Sequence, residues 1–191
     1  MSRNNVRNRI RLSRKIGLGQ FGAVLGKEDL LKRLQETPPL VEDFMNISKQ
    51  IGSNGVDLTV EGLEEFETEG ALDFTNEERV ISKTRSVKFD EDGWTYIAQG
   101  CYKVVFSEVI NMPNDLVAVA RPRSSLLRSG ASVETAVWDA GYRGRSVALL
   151  NVFNPFGLRI KRGARIAQIV FLKLLHPTRE AYGGVYQMEN I

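Results

Sequence analysis

Arg123, Ser124, Ser125 and Arg128 place two guanidinium forks and two hydroxyls within six residues, and Ser124 to Ser129, closed by Gly130, reads as a brief helix. Planar bidentate donors and oriented backbone N–H groups suit phosphate oxygens, whereas a capped surface turn would use the same residues for nothing chemical. Asp139 directly follows an apolar run and precedes Gly141. A carboxylate at a strand end can orient and deprotonate water, or it can satisfy its own turn. Tyr142 offers a flat face for a sugar, or a core or rim contact. Gln168 stands among Ile166, Ile169, Val170 and Phe171, so its amide needs a partner, either backbone or a phosphate oxygen. Near the C-terminus, Tyr182-Gly183-Gly184-Val185-Tyr186-Gln187 mixes glycine hinges with two aromatics and an amide, a composition for a closing flap or a frayed end.

The elements that must position these groups are mostly strands. Val80 to Phe89, Tyr102 to Ile110, Leu116 to Ala120, Ser132 to Trp138, Ser146 to Val152 and Ala164 to Leu174 are rich in β-branched or aromatic residues. Turns such as Asp92-Gly93 and Asn154-Pro155-Phe156-Gly157 separate them, a pattern that predicts an all-β sandwich, jelly roll or barrel with short helices. Lys27 to Gln35 reads as one helix, with Leu30, Leu31 and Leu34 on its apolar side and Pro38-Pro39 beyond its end. The chain divides into a basic arm over 1–26, a β domain over 27–181 and a tail over 182–191.

Composition narrows the function classes. A chain of 191 residues with 42% hydrophobic content can bury one sizeable core. One cysteine, Cys101, excludes an intrachain disulfide framework, and one histidine, His176, leaves no Cys/His zinc site; a reducing cytoplasm is the compartment expected. No apolar run reaches the roughly 18 residues of a membrane span. The net charge of +3 hides an asymmetry, because six positives from Arg3 to Lys15 precede the first acid, Glu28. From residue 16 onward acids outnumber bases, so the body is no platform for nucleic acid.

Gly17-Leu18-Gly19-Gln20-Phe21-Gly22-Ala23-Val24 matches the glycine-rich loop of protein kinases, yet no His-Arg-Asp or Asp-Phe-Gly segment accompanies it. A flexible entry to the first helix is the better account. The segments Gly55-Val56-Asp57-Leu58, Arg123 to Gly130, Asp139 to Gly144 and Gly163 to Phe171, in this order and spacing, resemble the dUTPase and dCTP deaminase superfamily over roughly residues 50 to 187. The similarity is greatest to its archaeal-type dUTPase branch.

The resemblance implies a jelly-roll-like homotrimer with shared sites, hydrolysing dUTP to dUMP and pyrophosphate with Mg²⁺. It implies that Asp139 activates the water attacking the α-phosphorus, that Tyr142 packs against deoxyribose, and that Arg123, Ser124, Ser125, Arg128 and Gln168 hold phosphates. Uracil would be read by backbone between Val133 and Val137, through Thr135, with Tyr186 and Gln187 in the closing tail. Mg²⁺ would ride on triphosphate oxygens and water, with Asp57 at most nearby. In dCTP deaminases a catalytic glutamate lies ten residues beyond the aspartate, where this chain has Leu149. A leucine moves no proton, so hydrolysis rather than deamination is expected. The chain also ends at Ile191, which shortens the tail, and Gly141 replaces a second acid seen in many trimeric dUTPases. Two alternatives stay open: a dCTP deaminase or bifunctional enzyme using another acid, and a non-catalytic nucleotide-binding regulator.

Overall fold

The computed structural model describes residues 24–191. Residues 1–23 of the basic arm, and with them almost all of the kinase-like glycine segment, lie outside the described residues. In chain order the elements are α1 (Lys27–Arg33), β1 (Val41–Glu42), α2 (Ile47–Gln50), β2 (Val56–Phe66), β3 (Thr84–Ser86), β4 (Trp94–Ile97), β5 (Gly100–Phe106) and β6 (Val109–Asn111). They continue with β7 (Leu116–Pro122), α3 (Ser124–Arg128), β8 (Ala131–Glu134), β9 (Arg143–Gly144), β10 (Val147–Val152), β11 (Leu158–Lys161) and β12 (Arg165–Lys173). All strand pairs are antiparallel, and the main sheet runs β7-β12-β2-β5-β10-β8 with β3 added to β2. A three-stranded sheet, β1-β6-β9, and a two-stranded one, β11-β4, complete an all-β fold.

β2 is the spine of the molecule. Val56, Leu58 and Val60 point into the core together with Ile169 and Phe171 of β12, Leu116 and Ala118 of β7, and Val104 and Phe106 of β5. The alternation that buries these residues sends the intervening side chains of β12 and β2, Gln168 and Asp57 among them, to the other face of the sheet. Leu30 of α1 is also fully buried, which anchors that short helix to the core. Ahead of α1, Val24 and Leu25 pair with β12 at Leu172 and Phe171.

Three expected strands are shorter than their composition indicates. Of Val80 to Phe89 only Thr84–Ser86 joins the sheet, because Val80 is diverted into an isolated bridge with Ala71 and Ile81 stays exposed. Tyr102 to Ile110 breaks at Ser107 and Glu108, where the chain passes from the main sheet to the three-stranded one. Ser132 to Trp138 leaves its ladder after Glu134 and returns only as a bridge between Trp138 and Ala118. β2, β4 and β11 carry no expectation from composition, since charges or glycine interrupt the apolar residues of β2 and β11, and β4 is only four residues long.

Candidate functional site

Of the two cations singled out in the sequence, Arg123 meets the carboxylate of Asp57, together with a second arginine, Arg165. Across β7-β12-β2, Gln168 sits opposite Arg121 on one side and Asp57 on the other, so the three residues form a polar row on one face. A bulge between Arg165 and Ala167 breaks the alternation and turns the Arg165 guanidinium toward the same face. Arg165 Nη1 and Arg123 Nε each lie 3.2 Å from Asp57 Oδ2. Arg123 enters from the end of β7, where its backbone N–H donates to Ile166 O at 2.8 Å. Burial pushes the Asp57 carboxyl up, against the downward pull of Arg123 and Arg165. Gly55 lies under this row, and a Cβ there would stand 2.3 Å from Ile169 O and 3.1 Å from Gln168 Cγ. Glycine is therefore required by close backbone approach.

α3 begins directly after Arg123, and its buried Leu126 fixes which side faces out. Ser124, Ser125 and Arg128 are exposed, and Arg128 Nη1 donates to Ser124 O at 3.4 Å. Ser125 shares a shallow cavity of about 220 Å³ with Arg165. Sequence reasoning missed Arg165 as a member of this cluster. Its signal was available as a cation among the apolar residues of the segment from Gly163 to Phe171.

Asp139 and Tyr142 lie elsewhere. With Val137, Trp138, Tyr186 and Glu189 they line a cavity of about 430 Å³, to which Arg123, Ser124, Ser125, Arg128 and Gln168 contribute nothing. Asp139 is exposed, and its carbonyl accepts from Tyr142 N–H in a tight turn. Gly141, inside that turn, has φ of +88°, a left-handed conformation that favours glycine. Val133 points into the core from β8, the edge strand of the main sheet, opposite Leu150 of β10. Beyond Glu134 the backbone groups of Thr135, Ala136 and Val137 have no backbone partner among the described residues. Unpaired backbone beside a cavity can read a planar heterocycle through N–H and C=O groups.

Tyr142 is held rigidly. Its hydroxyl lies 3.0 Å from Ser146 Oγ and donates to Glu189 Oε1 at 2.8 Å, while Trp138 Nε1 donates to Ser146 Oγ at 2.6 Å. Burial raises the Tyr142 hydroxyl above the usual tyrosine range, so it remains a neutral donor. Burial likewise raises the Glu189 carboxyl, against the hydrogen bond from Tyr142. Ser146→Ala would leave the buried Trp138 N–H without its acceptor. The expected cost is about 1–3 kcal/mol, measured as a lower urea midpoint at unchanged slope.

The C-terminal residues lie on this turn in the same chain. Gln187 Nε2 donates to Gly141 O at 2.9 Å, and Gln187 Oε1 accepts from Arg143 N–H at 2.8 Å. Met188 N–H donates to Arg143 O at 2.7 Å, and Tyr186 stacks beside Arg79, whose guanidinium is 6.0 Å from the ring centre. Glu189 was not legible as a site residue, because nothing in its local sequence sets it apart.

Comparison with known proteins identifies the family. Residues 24–174 match the family model described as dCTP deaminase-like. A probable deoxyuridine 5'-triphosphate nucleotidohydrolase of Methanosarcina mazei is 46% identical over 168 residues, covering 88% of this chain and 98% of the relative. The deoxyuridine 5'-triphosphate nucleotidohydrolase of Methanocaldococcus jannaschii is 39% identical over 146 residues, covering 75% of this chain and 92% of the relative. Among solved structures, a 2'-deoxycytidine 5'-triphosphate deaminase from Agrobacterium tumefaciens superposes with a TM-score of 0.61 at 17% identity, covering 81% of this chain and 49% of that one, a likeness of fold. With a family model spanning most of its length and archaeal relatives of near-equal extent, the chain belongs to the dCTP deaminase-like family.

Proposed function

We propose that the protein is a dUTP diphosphatase, hydrolysing dUTP to dUMP and pyrophosphate. The observation that carries the reading is the cavity of about 430 Å³ lined by exposed Asp139, by Tyr142 and by the unpaired segment at Ala136 and Val137. Its size suits a nucleoside. Support for the substrate comes from the archaeal relatives, which are named for deoxyuridine 5'-triphosphate.

In this reading Asp139 takes a proton from water as that water attacks the α-phosphorus, and pyrophosphate leaves. Tyr142, its ring fixed through Ser146 and Glu189, packs against deoxyribose. Thr135 and Val137 present backbone to uracil, with Val133 setting the start of the hairpin. Arg123, Ser124, Ser125, Arg128 and Gln168 hold phosphate oxygens, joined by Arg165. Tyr186 and Gln187 belong to the segment that covers the nucleotide.

The residues present fit a Mg²⁺ carried by the substrate. Asp57 is already engaged by two guanidinium groups, and the described residues contain no cluster of three acids, histidines or cysteines. When bound, the ion offsets negative charge on the triphosphate oxygens.

A homotrimer completes the proposal. The phosphate cluster and the Asp139 cavity share no lining residue, and in this reading a second chain brings the donors of one to the acid of the other. Exposed Leu72, Phe74, Phe153 and Phe156 supply apolar surface for such contacts. Light scattering should give three times the subunit mass in an active sample; a monomer with full activity would overturn the shared site. No described helix is long and apolar enough to cross a membrane, and a cytoplasmic location fits the single exposed Cys101.

By the resemblance, the position ten residues beyond Asp139, where dCTP deaminases carry a glutamate, is here Leu149, on β10 opposite Glu134. Pyrophosphate release should therefore appear with dUTP and Mg²⁺, and no ammonia should appear with dCTP. Ammonia at a rate comparable to dUTP cleavage would replace this reading by the bifunctional one, and binding without turnover would favour the regulatory one.

A further inference from the structure

We propose that Glu108 is a positioning residue that sets the geometry of the phosphate-holding row through Gln50 and Thr59. The inference rests on the dUTP reading above. Glu108 is fully buried at the break between β5 and β6, yet no cation pairs with it among the described residues. Its carboxylate accepts instead from three neutral donors. Oε1 takes Gln50 Nε2 at 2.5 Å and Thr59 Oγ1 at 2.7 Å, and Oε2 takes Thr59 N–H at 2.9 Å.

The reason lies in the sheet. β12 covers one edge of β2 from Val56 to Thr59, but β5 covers the opposite edge only from Val60 onward. On that open edge the backbone of β2 would lack partners next to Asp57. Glu108 supplies an acceptor for Thr59 N–H, Ser107 N–H donates to Thr59 O at 2.9 Å, and Gln50 Nε2 donates to Asp57 O at 3.0 Å. Two side chains thus stand where a strand is missing, at the residue that holds Arg123 and Arg165.

The orientation of Gln50 is fixed at both ends. Its Oε1 accepts from Asn46 N–H at 2.9 Å, so its Nε2 must face Glu108 and Asp57. The same helix, α2, also touches the row directly, since Arg165 Nη1 donates to Lys49 O at 2.5 Å. Moving α2 or β2 by a few tenths of an ångström therefore displaces Asp57 and Arg165 together. Glu108 itself touches no substrate in this arrangement. It acts through Asp57.

Two variants test the inference. Glu108→Gln keeps the volume but turns one oxygen into an amide donor, which must face Thr59 N–H or Gln50 Nε2, both donors. Gln50→Met leaves Glu108 its two bonds from Thr59 and removes the bonds of Gln50 to Glu108, to Asp57 O and from Asn46 N–H, so the link to Asp57 is cut without adding a donor against the carboxylate. Calorimetric titration would compare a non-hydrolysable dUTP analogue with dUMP, alongside the melting temperature of each variant. The expected result is a loss of about 10- to 100-fold for the analogue, the scale of a lost hydrogen bond to a charged group, with dUMP affected far less. A purely structural role predicts a lower melting temperature with an unchanged ratio of the two affinities, and that outcome in both variants would overturn the inference. Should Glu108→Gln fail to fold, Gln50→Met alone decides, because it leaves the buried carboxylate with two of its three donors. Parental protein that binds neither nucleotide would overturn the dUTP reading itself, whereas normal parental preference with unchanged variants removes only Glu108.

Discussion

Asp139→Asn should keep nucleotide affinity and lower dUTP turnover by about 10²–10⁴-fold, the range for losing a general base. The amide has the shape of the carboxylate and cannot take the proton of the attacking water. The geometry makes this a clean substitution. Asp139 is exposed, and the bond that shapes its turn uses its backbone carbonyl, which the change leaves in place. The check is single-turnover pyrophosphate release together with titration by a non-hydrolysable analogue. Equal turnover in parent and variant would remove Asp139 from the chemistry.

The second large effect belongs to stability. Gly55→Ala would drive a Cβ to 2.3 Å from Ile169 O, and the obstacle is backbone, which cannot rotate away as a side chain can. β2 and β12 must then separate where Asp57 faces Gln168. The expected cost is about 3 kcal/mol, the upper end for overpacking, or roughly 6–12 °C in melting temperature for a chain of this size. Because the damaged pair carries the row proposed to hold phosphates, dUTP affinity should fall alongside stability. Thermal unfolding and titration on one preparation measure both, and a variant with unchanged melting temperature would show that the two strands can shift without penalty.

Much of this protein was legible along the chain. Periodicity and turn composition located β7, β10 and β12 closely, and the first helix within two residues, because each is a local apolar run bounded by its own stop signals. The four segments with chemistry were legible for a related reason: arginines, serines, an aspartate and an amide are conspicuous between apolar runs.

What only the tertiary structure decided is which of those segments meet. Arg165 joins Arg123 because a one-residue bulge reverses the face of the strand, and no local pattern announces a bulge. Val80 to Phe89 has the composition of a strand, yet only its centre finds an edge with free hydrogen-bonding groups, since pairing is a property of two segments and not of one. In the sequence Glu108 is a charge inside the run from Val104 to Ile110, with nothing local to say that it is buried. Its burial depends on an edge of β2 left open by β5, and on Gln50 arriving from 58 residues away in the chain. Side-chain type and spacing determine what chemistry a chain can offer. Where strand edges are covered, and by what, determines which groups are brought together to perform it.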